Sequence, residues 1–337
     1  MKIIRIGVLG PSEIANRRMI PGIVSSDKFI YCGVAYAGPE EWGGMISGWN
    51  DPVIDREKKK AEAISERFGG KVYDGYSSML EDKSIDAVYI PLPPGLHAKW
   101  GKKALECGKH ILLEKPFTTC LTDSESLITI ASNNGLAVHE DFAFIFHKQI
   151  EKIVEIINSG EIGEIRLIRT SFGFPYRGES DFRYHKAMGG GALLDCGGYP
   201  ICLANYLLGG NAIITASSLC PAKGHDVDVF GSATLSGDNG ITAQISFGMD
   251  NSYKCDVEIW GSKGILSTGR VFSPPAELSA DILLKTDKER HVFVDPDDQF
   301  RHSAEYFADC ILNEKNRIEN YKKIIIQSKL FEAVKNG

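Results

Sequence analysis

At 337 residues the chain is long enough for two domains of ordinary size, each with its own core. With 43% hydrophobic and 24% charged residues and no apolar run of membrane length, the composition excludes a disordered chain and a transmembrane helix protein. A formal charge of -6 argues against nucleic acid or an anionic membrane as the main partner.

The opening MKIIRIGVLG places basic residues before an apolar run, as a signal peptide does, but Arg5 interrupts it and Pro11-Ser12-Glu13 follows, so a strand is the better reading. Residues 3–9 are rich in β-branched side chains, and Gly10-Pro-Ser-Glu-Ile-Ala15 leads into a helix through Val24. A strand, a tight turn and a helix form the opening of a dinucleotide fold, in which helix N-terminal amides bind a pyrophosphate. The G-x-G-x-x-G/A pattern is met in part: Gly10 and Ala15 fit, while Ser12 stands where a glycine lets backbone approach phosphate.

Residues 29–35 read as the second strand. An acid at its end would hold the adenine ribose of NAD and a nearby arginine would favour NADP, but Tyr36-Ala37 stands there. The Gly/Pro/Trp-rich residues 38–52 read as an inserted loop before a helix over 57–68. That loop covers the adenine end of a cofactor, with Arg56 or a lysine on a 2′-phosphate, or it is a surface elaboration. Further strands are expected over 87–90, 111–113 and 136–141, alternating with helices over 98–107 and 122–134. Strands at βαβ spacing predict a doubly wound parallel sheet for residues 1–145. The strand His110-Ile-Leu-Leu-Glu-Lys-Pro116 ends in an acid, a lysine and a proline, which offers Lys115 to a ligand from the carboxyl edge of the sheet. A solvated lysine ending a strand would look the same.

The pattern changes in residues 146–337. After a helix over 148–158, extended segments over 164–174, 212–220, 226–235, 241–248 and 253–259 predict a largely antiparallel sheet, followed by a helical tail over 300–337 that packs in part on the first domain. Met188-Gly-Gly-Gly-Ala-Leu-Leu-Asp-Cys-Gly-Gly-Tyr-Pro200 enters a helix through glycines that cost about 1 kcal/mol each against alanine, so close approach to something is expected there. Asp195 and Tyr199, four apart, would share a helix face. The eight cysteines form no C-x-x-C pair and the eight histidines no H-E-x-x-H pattern, so no metal and a reduced, cytoplasmic protein are expected.

Taken together, Gly7-Val-Leu-Gly-Pro-Ser-Glu-Ile-Ala15, Pro91 to His97, Glu114-Lys115-Pro116 and Gly189-Gly-Gly-Ala-Leu-Leu-Asp195 with Tyr199 resemble the glucose-fructose oxidoreductase / inositol dehydrogenase / rhizopine catabolism (Gfo/Idh/MocA) family over essentially the whole chain. The resemblance implies an N-terminal Rossmann domain for NAD or NADP and a C-terminal α/β domain with an open sheet for oligomerisation, a homodimer or homotetramer. It implies hydride transfer between nicotinamide and a sugar hydroxyl or ketone. The family's catalytic lysine carries onto Lys115 and its helix acid onto Asp195. Tyr199 replaces the histidine of many members, as in the branch resembling glucose-fructose oxidoreductase and xylose dehydrogenase. Gly10, Pro11, Ser12, Glu13, Ile14, Tyr36, Pro91, Leu92, His97, Glu114 and Lys115 are the expected cofactor contacts.

A ketone receiving hydride builds negative charge on oxygen and needs a proton donor and a cation. Tyr199 can give the proton with Lys115 favouring the phenolate, or Lys115 can give it with Tyr199 orienting it. Asp195 would accept from substrate hydroxyls. Tyr176, Arg183 and Tyr184, in the aromatic and charged stretch before the glycines, are the expected substrate contacts for a sugar or nucleotide sugar. Other readings are a dihydrodiol-type dehydrogenase, an NAD(P)-sensing regulator without turnover, and a redox-neutral glycosidase holding NAD.

Overall fold

The computed structural model describes residues 3–42, 51–221, 224, 226–238 and 240–337. It divides into two compact units. The first comprises Met1–Asp141 and Phe300–Ile325, the second Phe142–Gln299 and Ile326–Gly337.

In the first unit, β1 (Ile4–Leu9) is followed by a helical segment with a π turn (Ala15–Met19) that runs on as α1 (Ile20–Val24). Then come β2 (Phe29–Tyr36), α2 (Asp51–Phe68), β3 (Lys71–Asp74), α3 (Tyr76–Glu81), β4 (Ala87–Ile90), α4 (His97–Glu106), β5 (His110–Glu114), α5 (Leu121–Asn133) and β6 (Val138–Asp141). The six strands are all parallel, in the order β3-β2-β1-β4-β5-β6, so the chain reverses direction across the sheet between β1 and β4. Side chains alternate between two cores: Val88, Ile90, Ile111 and Leu113 enter one, Ala87, Tyr89 and Leu112 the other. Both faces of β5 are thus covered, which is why its sequence is a continuous apolar run. Each such fully buried leucine or isoleucine contributes about 1.5–3 kcal/mol.

Two elements of this unit were missing from the sequence reading. The edge strand β3 has four residues of which one is fully buried, too few for a period-two signal, and α3 is a six-residue helix behind it. The start of α2 at Asp51 instead of 57 follows from Pro52, which a first helical turn accepts as readily as a loop does. Most of the expected 38–52 loop, residues 43–50, lies outside the described residues.

In the second unit, α6 (Lys148–Asn158), β7 (Ile165–Gly173), a π turn (Leu193–Gly197) continuing as α7 (Gly198–Leu207), β8 (Ile213–Pro221), β9 (Asp228–Ser236), β10 (Thr242–Gly248), β11 (Lys254–Gly261), β12 (Ile265–Gly269), β13 (Ala280–Lys285) and β14 (Glu289–Val294) follow in order. They form an eight-stranded sheet, β14-β13-β12-β11-β7-β10-β9-β8, antiparallel except for the β7–β10 pair. β12, β13 and β14 lie beyond the strands expected from the sequence. β13 buries Ala280, Ile282 and Leu284 on one face, whereas β14 is exposed along most of its length and lacks an apolar face to announce it.

The tail forms α8 (Gln299–Leu312) and α9 (Glu314–Asn336). Within the first unit, Ala304, Phe307 and Ala308 enter the core beside Ile4, Ile6 and Met19. Gly22 lets the backbone of Arg301 approach so closely that a Cβ would lie 2.8 Å from its nitrogen. The edge strand β6 is covered by polar ties: Asn320 Nδ2 donates to the Val138 carbonyl at 2.6 Å and the Tyr321 hydroxyl to that of Leu136.

Candidate active site

The first unit assembles its expected cofactor residues at one sheet edge. Gly10-Pro11, Pro91-Leu92 and Glu114-Lys115 stand at or just beyond the carboxyl ends of β1, β4 and β5, three neighbours around the point where strand order reverses. Gly10 has φ +109°, and a Cβ there would lie 2.9 Å from Leu92 Cδ2, so the first two turns touch and only glycine fits. Ser12 keeps the missing glycine's turn by other means. Its Oγ accepts from the Ala15 amide at 3.2 Å and its carbonyl from the Asn16 amide at 3.1 Å, closing the first turn of the helix. Glu13, beside the expected pyrophosphate position, is paired with Arg17 at 2.6 Å, which offsets its charge toward a phosphate. The strand-end glycine, the helix entry and the adjacent Pro91 turn therefore suit a dinucleotide.

Behind Lys115 the turn is braced on three sides. The Phe117 amide donates to Glu140 Oε1 at 2.7 Å. His97, completely buried, sets Nδ1 2.8 Å from the Pro116 carbonyl and Nε2 2.7 Å from the Leu92 carbonyl, so one imidazole ties the β4 turn to the β5 turn. Burial lowers its pKa, against the carbonyls of Pro116, Leu92 and Phe117, which favour the charged ring. The Tyr89 hydroxyl donates to Glu114. Lys115 and Pro116 are joined by a cis peptide bond.

Two acids here were not expected from the sequence. Burial pushes the Glu140 carboxyl up to about 8, although the Phe117 amide and the Lys115 charge pull it down. Burial and then the neighbouring Glu114 raise Asp141, whose Oδ1 accepts from Ser303 Oγ at 2.6 Å. The signal was available: His139-Glu140-Asp141 puts three ionisable residues in a strand buried on both sides, where charge is costly without a reason.

In the second unit, Asp195 sits in the π turn, 7% exposed, and its Oδ2 accepts from Arg183 Nε at 2.6 Å. Arg183 Nη1 also reaches both carboxylate oxygens of Asp181, at 3.1 and 3.2 Å. Burial alone would lower the guanidinium pKa, but Asp195 and Asp181 carry it above its ordinary value. The glycines are explained by this arrangement. A Cβ on Gly190 would lie 2.4 Å from the Arg183 carbonyl oxygen, and one on Gly191 (φ +118°) 2.5 Å from Asp228 Oδ1. Asp228, unforeseen in the sequence, accepts from the Leu193 amide at 2.7 Å and so closes the start of the π turn. The close approach is therefore to the chain itself, and its effect is to fix the Arg183–Asp195 pair.

Tyr199 opens α7 within a cage of phenylalanines, its ring centroid 4.9–5.9 Å from those of Phe172, Phe142, Phe272 and Phe144. Tyr184 is buried and its hydroxyl donates to the Met249 carbonyl at 2.8 Å, while Tyr176, 46% exposed, lies against it with centroids 5.0 Å apart. Lys115 thus belongs to the first unit and Asp195 and Tyr199 to the second. Among the described residues, no group of three His, Cys, Asp or Glu side chains is placed to hold a metal ion, and no helix is long and apolar enough to cross a membrane.

Residues 4–142 match the model of an oxidoreductase family with an NAD-binding Rossmann fold, and residues 150–267 the GFO/IDH/MocA C-terminal domain. The chain belongs to the Gfo/Idh/MocA oxidoreductase family. As a family member it is an enzyme that uses NAD or NADP for hydride transfer at a sugar hydroxyl or ketone. It is 36% identical over 335 residues to a dTDP-3,4-didehydro-2,6-dideoxy-alpha-D-glucose 3-reductase of Actinomadura kijaniata, covering 99% of this chain and 95% of that one. A protein of the same name from Saccharopolyspora spinosa is 38% identical over 312 residues, 91% and 87% of the two chains. The crystal structure of KijD10, a 3-ketoreductase from Actinomadura kijaniata, in complex with NADP and TDP-benzene, superposes with a TM-score of 0.90 at 36% identity, covering 100% and 98% of the two chains. KijD10 has also been crystallised with a tyrosine replaced by phenylalanine and with a lysine replaced by alanine.

Proposed function

We propose that this family member reduces the keto group of a nucleoside-diphosphate-linked deoxysugar, and that it works as a cytoplasmic homo-oligomer without nucleic-acid or membrane partners. Similarity along nearly the full length to dTDP-ketosugar 3-reductases carries the substrate class. The nicotinamide supplies the hydride, which bonds to the carbonyl carbon, and one proton must reach the oxygen to give the alcohol. Tyr199, half-buried among the phenylalanines, is the proton donor; Lys115 carries the positive charge that favours an oxyanion. The alternative, with Lys115 as donor, uses the same two residues.

Asp195, held in one orientation by Arg183, accepts from a sugar hydroxyl and fixes which carbon is presented. His97 is a positioning residue: buried, it acts on the cofactor through the Leu92 and Pro116 turns that it joins. Tyr176 offers an exposed ring to the sugar or base, and Tyr184 supports it from beneath.

The test is loss of nicotinamide absorbance with NADH and NADPH against a panel of a dTDP-linked 3-ketosugar, free aldoses and a dihydrodiol. Turnover of the nucleotide-linked ketosugar at a kcat/KM at least a hundredfold above any free sugar is expected. Preference for a free aldose or a dihydrodiol overturns the substrate class, and tight nucleotide binding with no turnover of any compound favours the sensing regulator.

The oligomer reading is supported by the open face of the second sheet, where Phe230, Trp260 and Phe293 are 49%, 50% and 69% exposed on separate strands. Light scattering of the native chain should give a dimer or tetramer, and Trp260→Glu should shift it toward monomer. A monomeric native chain sinks the idea.

A further inference from the structure

The end of β2 carries neither the acid that marks NAD enzymes nor the arginine that marks NADP enzymes, yet the space beside it is strongly biased in charge. Tyr36, the last residue of β2, is register partner to Asp74, the last residue of β3, and the Gly75 amide donates to the Tyr36 carbonyl at 3.0 Å. Asp74 is exposed at the carboxyl edge. An acid is thus presented at the expected level of the sheet, one strand further out.

The second carboxylate is Glu41. It accepts from the amides of Gly38 at 2.9 Å, Tyr76 at 2.6 Å and Ser77 at 2.9 Å, and from the Ser77 hydroxyl at 2.8 Å. The backbone donors behind β3 that could take a phosphate are therefore already filled by an anion of the chain itself, and these bonds hold the Glu41 carboxyl below its usual pKa even though burial opposes them. The nearest lysines are engaged as well: Lys99 Nζ donates to the Glu41 carbonyl at 2.9 Å and Lys103 Nζ to Ser77 Oγ at 2.6 Å. From Ala37 to Asp55 the sequence contains no lysine, arginine or histidine, and the first base, Arg56, lies 3.7 Å from Glu57. The surrounding field registers on the Tyr36 phenol. Burial, then Asp74, Glu62 and Asp55, push it up to about 12.

We infer that this chain selects NAD(H) over NADP(H), with Asp74 and Tyr36 facing the adenine ribose hydroxyls and the Glu41 and Asp74 carboxylates rejecting a 2′-phosphate. A ribose hydroxyl can donate to the Asp74 carboxylate; a phosphate dianion in its place would face the Asp74 and Glu41 carboxylates, while Lys99 and Lys103 are directed at the Glu41 carbonyl and Ser77 Oγ. The selection differs from the NADP bound in the KijD10 structure. It rests on the oxidoreductase reading of the site, and a binding measurement separates the two.

The native chain is titrated with NADH and with NADPH, without sugar, by the nucleotide's own fluorescence. NADH should bind at least tenfold more tightly. The double variant Glu40→Arg with Asp74→Asn, both at exposed positions, should move the ratio of the two dissociation constants toward NADPH by at least tenfold, at unchanged melting temperature. Equal or tighter NADPH binding by the native chain, or a ratio that the double variant leaves in place, overturns the selection alone; failure of both nucleotides to bind overturns it together with the oxidoreductase reading.

Discussion

Lys115→Ala should lower kcat by about a thousandfold while the dissociation constant for the nicotinamide nucleotide changes less than threefold, since positioned proton transfer and charge stabilisation are typically worth factors of 10² to 10⁴. The side chain leaves from the end of β5, but the turn it stands on is held without it. Glu140 binds the Phe117 amide, His97 binds the Pro116 carbonyl, and neither bond involves the lysine side chain. The variant should fold with the native melting temperature and keep the Gly10 and Leu92 turns in contact. Stopped-flow reduction of a nucleotide-linked ketosugar, with a parallel fluorescence titration of the nucleotide, measures both quantities. Full turnover in the variant would remove Lys115 from the chemistry; a large loss of nucleotide affinity with kcat preserved would make it a binding residue instead. Lys115→Arg keeps the cation but surrenders the ability to give up a proton at neutral pH, so its activity distinguishes the charge role from the donor role.

What the sequence disclosed follows from where its signals are local. A parallel strand buried on both faces is an uninterrupted apolar run, so β4 and β5 were legible, and with them the strand-end position of Lys115. The glycines before Asp195 were legible as a demand for close approach, but not their partners, because Arg183 and Asp228 are reached by folding and not by any spacing along the chain. The same holds for Asp74, which stands beside Tyr36 only through the β2–β3 register, while β14 is exposed along most of its length and has no apolar face to mark it. Glu140 and Asp141 were visible as letters, yet a strand-period reading gives no weight to an acid pointing into a core.

Arg183→Ala should destabilise the second unit by about 3–5 kcal/mol, because it strips the partner from a buried carboxylate and leaves the charge behind. Arg183 and Asp195 side chains are 20% and 9% exposed, so water cannot replace the lost guanidinium well. For a unit of this size the change corresponds to a fall in melting temperature of roughly 6–20 °C. The sequence suggested Arg183 as a substrate contact, and the two roles predict different data. A residue that only touches substrate leaves the melting curve in place and raises KM. A residue that anchors Asp195 lowers the melting temperature and also lowers kcat, since the acceptor for the sugar hydroxyl loses its fixed orientation. Arg183→Lys keeps the charge but has no fork to span Asp195 and Asp181 at once, so it should fall between native and alanine in both measurements. The triple variant Arg183→Met with Asp195→Asn and Asp181→Asn removes the guanidinium and both of its carboxylates together and should recover most of the melting temperature while remaining inactive. Recovery of stability without activity separates the cost of an orphaned charge from the chemistry that charge serves; if Arg183→Ala melts as the native chain does, Asp195 is not held by this pair and its orientation must come from elsewhere.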